Sequence, residues 1–488
     1  MRRLPLLALA AVATSALSVS GALAHAAAIE DVDLVTLPLP GYPSALPSRW
    51  HSGYLDAGEK DGKRLWMHYV LVESERDPAK DPVLVWTNGG PGAASLFGLL
   101  AELGPLLFAH EAGEWASAPR ARAEAPPRLE RNRFSWSATA NLLVLNSPPP
   151  VGFSYCDPPG PAGGFTSCGP WNDGLTARHN RIAVESFARK FPSLERRDFF
   201  FAGESYSGVY TPTLVRELLR SKSVRVRGMA VGNGCVGVDV LCWAPGDAWW
   251  RIEFLRGHAQ ISDKSYERLV SECGPQMRGS RGSPQCVQRA QELERLEAGG
   301  FYEYNLYSTC AAKDPRFRGK YCGDDASMAA FVRLPDAKRA LNVAPDAAFH
   351  DGDNGAGFEY ASDERDLRPF YVELALKHKD VRVLVYSGDT DVSVNVFATQ
   401  NWTRSLGLRE TAAWRPWAFD PGFVAGYLTQ YEGLDVVTFR GSGHFVPEFR
   451  AAAAADMVRR WLEGKSVRAW GGGSAWASGG GEGVAVEE

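Results

Sequence analysis

A serine with small neighbours follows a run of aromatic residues near the middle of the chain. Residues 198–202 predict a strand, and Ser205 comes shortly after it in the order Gly-Glu-Ser-Tyr-Ser-Gly. A sharp turn from a strand into a helix would lift the serine hydroxyl out of a sheet and leave the next backbone N–H free to stabilise an oxyanion. Gly203 and Ser207 provide the small side chains that such a turn needs, although Ser207 stands where glycine is usual. Taken alone, this pattern also fits an ordinary serine in a loop.

A histidine with a suitable setting lies near the end of the chain. A serine hydroxyl is a weak nucleophile until a base takes its proton. Among 9 histidines, His444 lies in the glycine-rich run Arg-Gly-Ser-Gly-His-Phe-Val-Pro, directly after an apolar strand predicted at 436–439. Loops at strand ends often hold catalytic residues, whereas His179 and His378 lie in polar, helix-like stretches. His444 is therefore the predicted base.

Two aspartates could orient this base and stabilise its protonated form. Asp389 and Asp391 both follow the strand predicted at 381–386, and their spacing does not choose between them. The chain order of serine, then aspartate, then histidine is that of the α/β hydrolases.

The elements around these residues alternate between strands and helices. Strands are predicted at 82–86, 141–145, 198–202, 224–231, 381–386 and 436–439, and helices at 176–190, from about 213 and at 451–462. This alternation predicts an α/β fold with a central, mostly parallel sheet and helices on both faces. In such sheets reactive groups collect at the carboxyl ends of the strands.

The composition along the chain divides it into five segments. Arg2 and Arg3 precede an apolar, alanine-rich run that ends in Ala-His-Ala, which is typical of a signal peptide. The region after residue 234 is helical, charged and rich in cysteine, and the last residues are rich in glycine and serine. We expect a signal peptide at 1–26, core at 27–234, a helical insertion or lid at 235–335, core at 336–464 and a disordered tail at 465–488.

Charge and cysteine content limit the partners and the compartment. The 53 basic and 57 acidic residues give a net charge of -4, so no nucleic-acid partner is expected. No stretch after the signal peptide is long and apolar enough to span a membrane. Eight cysteines suggest disulfides in the secretory pathway, in the vacuole, the lysosome or outside the cell. Proximity suggests the pairs Cys156–Cys168 and Cys235–Cys242, and Asn401 lies in a glycosylation sequon.

Several separate motifs in one order resemble those of the serine carboxypeptidases, over roughly residues 36 to 464. They are residues 86–92 (Trp-Thr-Asn-Gly-Gly-Pro-Gly), 102–105 (Glu-Leu-Gly-Pro), 151–155 (Val-Gly-Phe-Ser-Tyr), 203–208, 232–234 (Gly-Asn-Gly), 334–336 (Leu-Pro-Asp) with 340–341, and the loops of Asp391 and His444.

The resemblance implies an α/β-hydrolase fold with a disulfide-tied helical insertion, and a chemistry that requires no cofactor or metal. It assigns the orienting role to Asp391, the second aspartate of the Gly-Asp-Xaa-Asp pattern, and makes Asp389 structural. It places the oxyanion hole at the N–H groups of Gly90 and Tyr206, which are aimed before charge develops.

The resemblance also implies a site for the C-terminal carboxylate of a peptide. Its residues are Asn88, Gly89, Glu102 and Glu204. Two crowded carboxyls do not both ionise easily, so a shared proton would turn the pair into a hydrogen-bond donor for a carboxylate. This predicts peptide binding that is best at acidic pH.

The implied function is a serine-type carboxypeptidase that releases C-terminal residues from peptides or proteins through an acyl-enzyme. Two alternatives stay open. One is an acyltransferase of the same family with the same triad of Ser205, Asp391 and His444, and the other is a non-catalytic binding relative. The sequence departs from the family at Ala93, where cysteine is frequent, at Phe445, where methionine is frequent, and at 146–150, where Asn-Ser-Pro-Pro-Pro replaces Asp-Gln-Pro-Val-Gly. These changes affect which substrate side chains are preferred more than they affect the triad.

Overall fold

The computed structural model describes residues 30–109, 126–244, 246–277, 283–308, 325–352, 357–419 and 423–470. The strands in this part of the chain are β1 (Trp50–Lys60), β2 (Lys63–Val72), β3 (Val83–Thr87), β4 (Leu106–Phe108), β5 (Leu129–Arg131), β6 (Asn141–Leu145), β7 (Tyr155–Asp157), β8 (Trp171–Asn172), β9 (Asp198–Glu204), β10 (Arg225–Gly232), β11 (Tyr360–Ala361), β12 (Arg382–Gly388), β13 (Glu410–Trp417), β14 (Gly426–Tyr431) and β15 (Leu434–Phe439).

An 11-stranded sheet has the strand order β1-β2-β6-β3-β9-β10-β12-β15-β14-β13, and β7 pairs with β2. Its six middle strands, from β6 to β15, are parallel. These six are the strands that the sequence predicts. The outer strands β1, β2, β7, β13 and β14 pair antiparallel and were not predicted. The sheet is therefore parallel in its centre and mixed as a whole.

The middle strands are largely apolar because both faces of the sheet are covered. Consecutive side chains of a strand point to opposite faces. In β3, Val83 and Val85 belong to one buried cluster, and Leu84 and Trp86 belong to the other. β9 divides its phenylalanines between the same two clusters. The sheet thus separates two hydrophobic cores.

Helices cover both faces of the sheet, as predicted. In the described residues they are α1 (Asp173–Lys190), α2 (Pro192–Glu195), α3 (Ser207–Ser221), α4 (Asp247–Gly257), α5 (Asp263–Met277), α6 (Pro284–Leu293), α7 (Asp325–Phe331), α8 (Pro335–Ala340), α9 (Arg368–Lys377), α10 (Val396–Arg404), α11 (Val446–Phe449) and α12 (Ala451–Leu462). Helix α1 packs on one core and α12 on the other. The α/β-hydrolase fold class is confirmed.

In its described residues, the predicted insertion contains three helices that share an apolar cluster of their own. Side chains of α4, α5 and α6 bury each other, and Val392 and Val396 from the second part of the core join them. Cys273–Cys286 links α5 to α6. Helix α7 packs differently, since Met328 and Phe331 belong to a core beside the sheet.

Both cysteine pairs that proximity suggested, Cys156–Cys168 and Cys235–Cys242, form disulfide bonds. The signal peptide, Cys310 and Cys322 lie outside the described residues. At the start of the predicted tail Val467 is buried, and residues 471–488 lie outside the described part. In the described ranges, no helix combines the length and the apolarity needed to cross a membrane.

Candidate active site

Ser205 lies on a tight turn between β9 and α3. Its backbone φ is +60°, in the left-handed region that few residues other than glycine adopt. Its N–H donates to the Gly232 carbonyl at 3.1 Å, and its own carbonyl accepts from the N–H groups of Gly208 at 2.9 Å and Cys235 at 3.0 Å. These bonds hold the strained turn, which is the predicted strand–turn–helix geometry.

Two glycines of this turn have no room for a side chain. A Cβ on Gly203 would lie 2.0 Å from the Ser207 Oγ and 2.5 Å from the Thr87 carbonyl, and one on Gly208 would lie 2.3 Å from a backbone oxygen. Ser207, which stands where glycine is usual, shares a hydrogen bond of 2.6 Å with the Thr87 hydroxyl. Glycine is therefore required at 203 and 208, whereas position 207 has room for a side chain, which ties α3 to β3.

His444 and Asp391 meet at the carboxyl ends of β15 and β12. The His444 Nδ1 lies 2.7 Å from the Asp391 Oδ2, and both side chains are buried. A carboxylate accepts, so Nδ1 carries the proton and Nε2 keeps its lone pair. The Asn233 amide donates to the same Oδ2 at 2.7 Å, and the Ser393 N–H donates to Oδ1 at 2.9 Å. The carboxylate also accepts the Val394 N–H at 3.2 Å, so four donors hold Asp391 in place.

Asp389 has a different position from Asp391. Its Oδ1 accepts the Gly441 N–H at 2.6 Å, which joins the loop after β12 to the loop after β15. Burial raises the pKa of Asp389. The structure brings only Asp391 of the two candidates to the imidazole of His444.

The predicted oxyanion donors lie where the loop after β3 approaches the turn at Ser205. A Cβ on Gly89 would lie 2.3 Å from the Tyr206 nitrogen and 2.8 Å from the Ser205 Cβ. Gly90 has a φ of +103° and lines the same cleft as Ser205. The absence of a side chain at Gly89 allows this close approach of two backbones.

One buried amide joins the two glutamates of the predicted carboxylate site. The Asn88 Oδ1 accepts from the Trp86 indole at 2.8 Å and from the Gly98 N–H at 3.2 Å. Its nitrogen must therefore point the other way, and it donates to Glu102 Oε1 and to Glu204 Oε1 at 2.9 Å each. Both carboxyl groups are almost completely buried, and Glu204 is adjacent in sequence to Ser205.

The surroundings of Glu102 and Glu204 favour the protonated form of their carboxyl groups. Burial raises the pKa of Glu102 to about 7, while bonds from Asn88 and from Glu204 and the charge of His444 lower it. Burial also raises the pKa of Glu204 well above its ordinary value, and the negative charge of Glu102 adds to this. Since neither carboxyl ionises readily beside the other, a proton is retained into the neutral range.

A cleft of about 840 Å³ opens at Ser205 and Gly90. Its other walls come from the Cys235–Cys242 disulfide loop, from α4 and α6, and from the segment that follows them. The polar lining includes Asp247, Arg251, Glu294, Arg295 and Glu303. Arg251 pairs with Glu294 through two nitrogens, at 2.5 and 3.0 Å. The insertion thus forms much of the wall opposite the predicted nucleophile.

Sequence reasoning missed two residues that support the site. Asn233, in the Gly-Asn-Gly motif, bonds Asp391 and also accepts from the Gly388 N–H at 2.9 Å. The buried Asp173 accepts from the Tyr206 hydroxyl at 2.7 Å and from the Tyr360 hydroxyl at 2.8 Å. Asn233 follows a predicted strand, which was a usable signal. Asp173 had no such signal, because it follows no predicted strand and comes just before a predicted helix.

Two of the three departures from the family, at Asn146 and Phe445, make identifiable contacts in the structure. The Asn146 amide pairs with the His68 ring at 2.8 Å, and its oxygen accepts the Leu96 N–H at 3.2 Å. Phe445 packs against Phe97, with ring centroids 5.6 Å apart. Both changes shape the surroundings of the site and leave the contact between His444 and Asp391 intact.

The fold and this arrangement define an α/β hydrolase. A sequence model described as serine carboxypeptidase matches residues 40–464. The chain therefore belongs to the serine carboxypeptidase family.

Its relatives include the serine carboxypeptidase-like 27 protein of Arabidopsis thaliana, 31% identical over 88% of this chain and 92% of that protein. The lysosomal protective protein of Mus musculus is 28% identical, over 87% of this chain and 92% of that protein. Among solved structures, a prohormone-processing carboxypeptidase from Saccharomyces cerevisiae aligns with a TM-score of 0.71 and 17% identity, over 87% of this chain and 94% of that one. This likeness supports the fold.

Proposed function

We propose that the protein is a serine-type carboxypeptidase that releases C-terminal residues from peptides at acidic pH. The observation that carries this proposal is the buried pair of Glu102 and Glu204, joined by Asn88 directly beside Ser205. A serine hydrolase needs a nucleophile and a base for its chemistry. A proton-sharing carboxyl pair at the same point adds a means of binding a free carboxylate.

In the proposed reaction, His444 Nε2 takes the proton of the Ser205 hydroxyl as the Ser205 oxygen attacks the last peptide carbonyl. Asp391 keeps the imidazole oriented and stabilises its positive charge. The N–H groups of Gly90 and Tyr206 donate to the oxygen that becomes negative. His444 then gives the proton to the leaving amine, and water releases the acyl group by the same steps.

The substrate carboxylate is held by Asn88, the Gly89 backbone and the two glutamates. With one proton on the pair, a carboxyl O–H donates to the substrate, and the repulsion between negative charges is reduced. When that proton is lost, both glutamates would be negatively charged and would repel the carboxylate of the substrate. The proposed exopeptidase activity therefore depends on acidic conditions.

We further propose that the protein enters the secretory pathway, with residues 1–26 as its signal peptide. Its disulfide bonds and a relative named as lysosomal support this location. The helices of the insertion would act as a lid on the cleft. Glycosylation at Asn401 stays a prediction, and that residue lies within α10.

The test is release of amino acids from a panel of N-blocked dipeptides at about pH 5. Release should vanish in Ser205→Ala and persist in Ser271→Ala, which changes an exposed serine of α5. A serine-directed phosphonate should label the wild type and leave Ser205→Ala unlabelled. Labelling without amino-acid release would favour the acyltransferase alternative, and absence of both would favour a binding relative.

A further inference from the structure

A short segment of the insertion contacts both loops that carry the proposed base and its aspartate. This segment, residues 303–306, follows the helices of the insertion and is named here the clamp segment. The Glu303 carbonyl accepts from the N–H groups of Val392 at 3.0 Å and Ser393 at 3.1 Å. These two residues directly follow Asp391.

The next residues of the clamp segment bond on both sides of the site. The Leu306 N–H donates to the Thr390 carbonyl at 2.9 Å, and the Thr390 hydroxyl donates to the Asn305 side chain at 2.8 Å. The Tyr304 carbonyl accepts the N–H of His444 itself at 2.7 Å. The segment thus bonds to the residues on both sides of Asp391 and to the backbone of His444.

Side chains reinforce this backbone contact. The Tyr304 ring lies over the His444 imidazole, with ring centroids 4.7 Å apart and planes tilted by 32°. Gly443 makes the approach possible, because a Cβ there would lie 2.2 Å from the Tyr304 carbonyl. Because the aromatic ring lies against the imidazole, it limits the positions that the His444 side chain can adopt.

The helices of the insertion are coupled to the same loop through packing. Val392, one residue after Asp391, is completely buried in the apolar cluster formed by α4, α5 and α6. A shift of these helices would therefore move the loop after β12. The insertion thus packs against the loop after β12 and also lines the cleft, where Glu303 and Tyr304 of the clamp segment are among the lining residues.

We propose that the clamp segment sets the relative position of Asp391 and His444, and that Tyr304 is a positioning residue for the imidazole. This inference rests on the proposed roles of Asp391 and His444. It gives the insertion a part in the chemical step, beyond covering the cleft. Loss of the clamp contacts should then lower kcat with little change in KM, since substrate binding groups stay in place.

The test compares matched pairs of variants. Tyr304→Leu removes the ring and Tyr304→Phe keeps it. Thr390→Val removes the hydroxyl that bonds Asn305, and Thr390→Ser keeps it. Tyr307→Leu is the control, because this neighbouring tyrosine is 59% exposed. The readouts are kcat and KM for a blocked dipeptide, the rate of covalent labelling by a phosphonate, and the melting temperature.

We expect Tyr304→Leu and Thr390→Val to lower kcat and the labelling rate together, by roughly 10- to 100-fold for Tyr304→Leu. Tyr304→Phe and Thr390→Ser should recover most of the loss, and Tyr307→Leu should match the wild type. A raised KM with unchanged kcat and labelling would overturn the proposal and indicate that Tyr304 contacts the substrate instead. Wild-type rates in both Tyr304→Leu and Thr390→Val would also overturn it. A wild type that neither cleaves peptide nor takes up the phosphonate would instead remove the proposed function on which the inference rests.

Discussion

The carboxyl groups of Glu102 and Glu204 meet at a single amide, since the Asn88 nitrogen donates to one oxygen of each at 2.9 Å. The amide has no freedom to turn, because its oxygen is held by Trp86 and Gly98. Two buried acids that share one donor repel each other when both are ionised. Their protonation should therefore control both the binding of substrate and the stability of the fold.

Peptide binding should weaken as pH rises through the neutral range. Burial raises the pKa of Glu102 to about 7 and that of Glu204 well above its usual value. KM for a blocked dipeptide should rise roughly tenfold from about pH 5 to about pH 8 in the wild type. In Glu204→Gln the amide donates at every pH, so its KM should change little over this range.

The measurement is KM against pH for the wild type, Glu204→Gln and Glu130→Gln, which changes a glutamate whose carboxylate is half exposed. The control should follow the wild type. KM curves that run parallel in the wild type and Glu204→Gln would disprove the role of the pair in carboxylate binding.

The same pair should make the fold more stable in acid than at neutral pH. Because the folded pKa values are raised, the folded state binds these protons more tightly than the unfolded chain. The contribution is complete below the ordinary glutamate pKa of 4.5 and is lost as pH rises through about 7. Relative to Glu102→Gln, the wild-type free energy of unfolding should fall by on the order of 2–3 kcal/mol between about pH 4 and about pH 8.

Denaturant unfolding of both proteins with intact disulfides measures this difference. Other acids with raised pKa values, such as Asp389, titrate in both proteins and cancel in the comparison. A difference that stays constant with pH, or that grows as pH rises, would contradict the assignment.

The two aspartates of the loop after β12 should respond differently to removal of their charge. Asp391→Asn should lower kcat by roughly 10³- to 10⁴-fold, because an amide no longer fixes the imidazole tautomer or stabilises its positive charge. Asp389→Asn keeps an oxygen for the Gly441 N–H, so kcat should stay within about threefold of the wild type. Steady-state kinetics at one pH, with melting temperatures as a check on folding, separate the two. Equal losses in both variants would mean that Asp389 also serves the base.

The parallel centre of the fold could be predicted because its strands are largely apolar and helices follow most of them along the chain. Ser205, His444 and the loop that holds Asp389 and Asp391 could be predicted from this, since each comes shortly after one of these strands. The choice of Asp391 over Asp389 came from the resemblance to the serine carboxypeptidases. The antiparallel edges were not predicted. In β1, for example, polar and apolar residues mix, and its pairing with β2 contains an irregular register.

The supporting contacts of the site could not be predicted because they join distant parts of the chain. The Asn233 amide and Asp391 are 158 residues apart, and Asn305 and Thr390 are 85 apart. No local period or spacing marks such pairs. Their proximity depends on how loops from different strands meet at one edge of the sheet, and that is a property of the whole fold.

Substitution of Gly89 should affect catalysis directly, because its Cα faces the turn that carries the nucleophile. A Cβ there would lie 2.3 Å from the Tyr206 nitrogen and 2.8 Å from the Ser205 Cβ. Both contacts are with the rigid backbone or its first side-chain atom, so neither can turn aside. Gly89→Ala should move the loop of Gly90 away from Ser205 and lower kcat by on the order of 10²-fold or more, by displacing an oxyanion donor.

The matched control is Gly174→Ala in α1, where an added Cβ would meet a side-chain oxygen only at 3.7 Å. It should leave kcat unchanged and stabilise the helix slightly, since alanine favours helix over glycine. Phosphonate labelling of both variants distinguishes a displaced oxyanion donor from an unfolded protein. If Gly89→Ala keeps its wild-type kcat, the loop after β3 does not provide an oxyanion donor, and the stabilisation must come from Tyr206 alone.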